Sequence, residues 1–104
     1  MLDEKLDALS QMMAQHMARP FPPGLRGLEI DDQDLVMLDA DAYGCVASVR
    51  EGPLSERHRA GLTQLTSVFE SVLPAIDDTY ATEYYAHLHN MIVLAADIER
   101  LRGK

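Results

Sequence analysis

The chain has 104 residues, 47% of them apolar and 25% charged, and seventeen acids against nine bases give a formal charge of −8. This length sets the expectation of one domain that buries a core without staples, and the single Cys45 excludes an internal disulfide. So acidic a surface repels phosphate, which argues against nucleic acid and anionic membrane as partners.

The opening `MLDEKLDALS` carries acids where a signal peptide carries bases. The longest apolar run, Met91 to Ala96, is far short of a membrane span. A cytoplasmic location is therefore expected. Arginine outnumbers lysine seven to two and alanine is abundant, a composition expected of a GC-rich bacterial source.

The first helix is expected over about 3–17. Leu2, Leu6, Leu9, Met13 and His16 recur at helical spacing, and Asp3 and Glu4 suit the positive end of the helix dipole. The segment `ARPFPPGLRGLEI` follows, where three prolines and two glycines forbid regular structure. Leu25, Leu28 and Ile30 are expected to pin it to the bundle. Its `PFPP` also reads as a PxxP partner ligand, although a constraint on a crossing loop is the plainer reading.

The second helix is expected over about 32–50, capped by Asp31 or Asp32. Leu35-Val36-Met37-Leu38 alone would suit a buried strand. However, Leu35, Leu38, Ala42, Cys45 and Val49 keep a helical rhythm, and no other segment offers a strand to pair with. Gly52-Pro53 ends this helix. A third, expected over 54–73, places Leu54, Leu62, Leu65, Val68, Phe69 and Val72 on one stripe until Pro74 stops it.

The last helix, expected over 78–102 with caps among Asp77, Asp78 and Thr79, is the most informative. Tyr80, Tyr84, Leu88, Met91, Leu94, Ala95 and Ile98 share one face, and Tyr85, Ile92 and Ala96 form a second stripe, with Val93 further round. A helix apolar on two sides is either the centre of a bundle or shared with a second subunit. The fold class is accordingly all-α: a four-helix, bundle-like domain with a long Pro/Gly-containing connection between its first two helices. The short connections favour antiparallel neighbours.

Three constellations could carry chemistry. The first is `DADAYG`, Asp39 to Gly44. It matches a calcium loop at three positions but fails where Tyr43, Ala47 and Arg50 stand in for oxygen ligands. As a `DxD` after an apolar run it resembles the nucleophile motif of haloacid-dehalogenase-type phosphatases, whose parallel sheet and far longer chain are missing. Asp41 points away from the apolar face. Asp39 lies at its edge and needs a partner from another helix, because burying an unpaired carboxylate is costly.

The second constellation is the histidines. His16, His58 and His87 each fall on the apolar stripe of their helix. In an up-down bundle the end of the first helix adjoins the start of the fourth, so His16, Glu83 and His87 are the candidate metal ligands, with His58 at the opposite pole. The Glu-x-x-His spacing of di-iron bundles is absent, since Glu83 and His87 are four apart. The third is the tyrosines. Tyr43, Tyr80, Tyr84 and Tyr85 fill a core, anchor an interface or line a pocket, and Asp39, Tyr43 and Tyr84 are the candidate ligand-binding residues. Cys45 faces the core as an inert small hydrophobe.

The expected function is a non-enzymatic interaction or regulatory module that pairs with itself as a homodimer. Its interface candidates are Tyr85, His89, Ile92, Val93 and Ala96, and no cofactor is expected. The alternative is a helical bundle that binds a metal or small ligand, with or without catalysis, through His16, Glu83, Tyr84, His87 and Asp39.

Overall fold

The computed structural model describes residues 2–25, 27–30 and 32–103. Among them are four long helices: α1 (Leu2–Ala18), α2 (Leu35–Glu51), α3 (Glu56–Val72) and α4 (Thr79–Arg102). They run up, down, up and down. Lys5 of α1 bonds Asp97 of α4 at 2.6 Å while His16 meets Tyr84, so α1 and α4 are antiparallel. Arg59 of α3 approaches Glu99 while Phe69 meets Tyr85, so α3 also opposes α4.

α2, α3 and α4 each start where a side chain satisfies free amides of the first turn. Asp34 caps α2 by accepting from Val36 and Met37, Ser55 caps α3 by accepting from His58, and Asp78 caps α4 by accepting from Ala81 at 2.8 Å. Capping of α2 by Asp31 or Asp32 is not what the fold uses. Asp31 lies outside the described residues, and Asp32 stands in a turn at φ 65. That turn joins two short antiparallel strands, β1 (Glu29–Ile30) and β2 (Gln33–Asp34). Pairing did arise in the connection, because two short segments with only two residues between them can close a hairpin without any sheet elsewhere. Pro74 sits inside a 3-10 turn, Leu73–Ala75, that finishes α3.

α4 is the central helix and packs against all three others. Tyr84, Leu88, Met91, Ala95 and Ile98 of its first stripe are buried, and so are Tyr85 and Ile92 of the second. α3 covers that second side, with Phe69 tilted against Tyr85 and stacked on His89 at 6.2 Å. The two-sided apolar helix is thus satisfied within one chain. Burial of this kind stabilises by about 1.5–3 kcal/mol for each large side chain.

The connection between α1 and α2 is held down at several points. Leu25 and Pro22 are buried, and Phe21 packs edge-on against Tyr84 and Tyr85. The Tyr80 hydroxyl donates to the Pro20 carbonyl and that of Tyr85 to the Leu35 carbonyl, both at 2.6 Å. Leu28, expected to pin this segment, is exposed instead. In α2 it is Val46 that is fully buried, and Cys45 is only partly so. No helix among the described residues is long and apolar enough to cross a membrane.

Candidate functional site

Three helices bring polar groups together at the end of the bundle where α1 finishes and α2 and α4 begin. His16 stands in the last turn of α1, Asp39 in the second turn of α2, and Tyr84 in the second turn of α4. The His16 Nε2–H donates to Asp39 Oδ1 at 2.9 Å, and the Tyr84 hydroxyl donates to Asp39 Oδ2 at 2.6 Å. Asp39 therefore has the partners from other helices that its position demanded.

The cluster is framed by rings. Tyr43 stacks on His16 at 5.7 Å, Tyr84 tilts against it at 4.8 Å, and His87 lies parallel to it at 6.4 Å. His16 is only 4% exposed, and its Nδ1 is buried without a hydrogen-bond partner. A buried ring nitrogen left unpaired costs free energy. Burial raises the Tyr84 hydroxyl well above the ordinary tyrosine value, and the hydrogen bond to Asp39 and that carboxylate's charge push the same way. Tyr85 is raised too, by burial first and then by the charges of Asp39 and Asp34. Both stay protonated at neutral pH and serve as donors rather than bases.

A cleft of about 400 Å³ opens over the cluster. Asp39, His16 and Tyr84 form its polar wall, Val36, Phe21 and Tyr43 its apolar one, and the exposed Met17 and Arg19 stand at the rim. The volume falls within the range of small-molecule sites, which are largely apolar with a few placed polar groups. Neither serine nor cysteine lines it, so the cleft offers no such nucleophile beside His16.

The candidate metal ligands do not assemble. His16 and His87 do meet, but the His87 Nε2 is within 3.0 Å of the Met12 carbonyl and Glu83 is exposed. Among the described residues no group of three or more His, Cys, Asp or Glu could hold a metal ion. His58, placed on the apolar stripe of α3 by its spacing, is exposed and bonds its own cap, Ser55. Of the interface candidates, Tyr85 and Ile92 are wholly buried in the chain's own core, His89 and Ala96 are half-buried, and Val93 is 47% exposed. A second copy has access to Val93 and the margins of its neighbours, and to neither Tyr85 nor Ile92.

One buried polar group escaped the reading of the sequence. Glu99, 3% exposed, accepts from the Leu54 amide at 3.1 Å and from Arg102 at 3.0 Å. A signal was available: Glu99 is seven residues after Ile92 and four after Ala95, hence on the buried side. An acid there requires a partner, and Arg102 is one turn away.

Comparison with known protein families, with curated proteins and with solved structures finds no match to this chain.

Proposed function

We propose that this chain is a non-enzymatic binding module whose ligand is a small molecule seated in the cleft over His16, Asp39 and Tyr84. One observation carries the reading. A carboxylate from α2 is held by donors from α1 and α4 directly beneath a cleft of ligand size, with aromatic and aliphatic walls around it. Convergent polar groups in an otherwise apolar pocket are the usual signature of such a site. The ligand presents a hydrogen-bond donor to Asp39 and lays an apolar or aromatic body against Phe21, Val36 and Tyr43. Fragment screening by NMR tests this. Expected are shifts confined to residues around Asp39 and Tyr43, lost in Asp39→Asn. Fragments that bind Asp39→Asn unchanged, or that settle elsewhere, would remove the cleft from consideration.

Self-association is a second reading, favoured by the exposed Val93 beside Leu94 and Ala96 and the shallow depression of about 340 Å³ that they line. Regulation through pairing would then act along the open edge of α4. Sedimentation at micromolar concentration is expected to show a dimer that Val93→Glu dissociates. A monomer under both conditions eliminates it.

A further inference from the structure

On the other side of α2, the α2–α3 hairpin encloses a larger cleft of about 490 Å³. Helices joined by so short a turn usually pack against each other. Here both pack on α4 and barely touch one another. Two glycines face the gap, Gly44 on α2 and Gly61 on α3, and a Cβ on either would meet nothing within 4 Å. Leu65, Val68 and Cys45 line it only partly buried, so the gap has an apolar floor.

Several polar side chains around this floor are uncommitted, whereas Ser48 donates to the Gly44 carbonyl. Arg50, Arg59, Arg100 and Arg102 each hold a hydrogen bond or ion pair. Arg57 holds none to any described residue, and the same is true of the side chains of Gln33, Asp41 and Gln64, which line the same cleft. His58 Nδ1 is within 3.2 Å of Ser55 Oγ, which leaves Nε2 free. The charges are also ordered. Arg57 and His58 stand at the turn end of the hairpin near Ser48, while Asp41 lies seven residues earlier on α2, about 10 Å away at 1.5 Å per residue. At about 3.3–3.6 Å per residue, an extended peptide covers that gap with three residues.

We propose that the α2–α3 cleft binds a short apolar peptide with free termini, about three residues long. Its carboxylate pairs with Arg57 and His58, its ammonium pairs with Asp41, and its amides meet Gln33 and Gln64. Charge complementarity at both ends selects this occupant over a fatty acid, which Asp41 would repel, and over an amine, which Arg57 would repel. The side chains rest on Leu65 and Val68, in the space that Gly44 and Gly61 leave open. The site is independent of the cleft over Asp39.

Calorimetry and amide NMR with the tripeptide Ala-Leu-Ala test the proposal on the intact chain. Expected is saturable one-to-one binding, with shifts at Gly44, Ser48 and Gly61. Acetylating the amine or amidating the carboxylate should each weaken it about tenfold, the scale of one charge-assisted hydrogen bond. Arg57→Ala and Asp41→Asn should do the same to the free peptide. Arg57→Ala should bind the C-terminal amide no worse than the unaltered chain does. These side chains are exposed, so circular dichroism should be unchanged in both variants. Gly61→Leu, which fills the cleft, should abolish binding with helicity intact, and Asp39→Asn should leave it untouched. Equal binding of the doubly capped peptide, equal binding of leucine alone, or no saturable shift at millimolar peptide would each overturn the proposal.

Discussion

The two ends of the bundle each hold a carboxylate, and they treat it differently. Glu99 is closed in by cations and a backbone amide: Arg102 at 3.0 Å, the Leu54 amide at 3.1 Å and Arg59 at 3.6 Å. Arg102 also donates to the Val49 carbonyl at 2.6 Å, so the group ties the end of α2, the turn before α3 and the last turn of α4. Neither Glu99 nor Arg102 lines any cleft described above. Asp39 is held by an imidazole and a phenol, keeps part of its side chain exposed and faces a cleft. A carboxylate saturated by fixed partners serves the fold. One held in place but open to a cleft keeps acceptor capacity to spare.

The sharpest test of that contrast is removal of each acid. Glu99→Ala leaves the buried Leu54 amide without its acceptor and the part-buried Arg102 without its counter-charge, and is expected to lower unfolding stability by about 3–5 kcal/mol in urea denaturation. Asp39→Ala leaves His16 and Tyr84 without their acceptor and is expected to lose less, about 1–3 kcal/mol. If Asp39→Ala proved the costlier, the two ends would have exchanged roles. Tyr84→Phe removes one donor and should cost about 1 kcal/mol in the same assay.

Alkaline pH separates the ends further. Tyr84 and Tyr85 both titrate above the ordinary value of 10.0 in the folded chain. Their contribution to stability is therefore complete below about pH 10 and is lost as pH rises through the raised values, because the unfolded chain releases those protons first. Phenolate absorbance of Tyr84 and Tyr85 is expected only together with loss of helicity. Tyr84→Phe should move that unfolding to higher pH. The smallest expected effect lies outside both ends and has the opposite sign. Gly44→Ala should stabilise α2 by about 0.5–1 kcal/mol, since the added methyl meets nothing.

Much of the candidate site was legible because helical spacing carries it. Asp39 sits at the edge of the α2 stripe, which required a partner from another helix. The up-down order placed the end of α1 beside the start of α4, where His16, Tyr84 and His87 are found. Glu83 was misplaced because sharing a side with His87 does not bring a residue inward; the burial margin of α4 falls between them. His58 was misplaced for a related reason. Its spacing matches the apolar stripe, but α3 begins at Glu56, so His58 belongs to an exposed first turn capped by Ser55.

Local chemistry decided the four helices, their order and the residues that stop them, since periodicity, prolines and acidic caps act within a few residues. Packing decided the rest. Whether Tyr85 and Ile92 faced α3 or a second copy turned on the reach of Phe69 across the bundle. The gap between α2 and α3 arose because both helices gained more burial against α4 than against one another. Those outcomes compare distant surfaces competing for the same apolar faces, and no run of neighbouring residues encodes that competition.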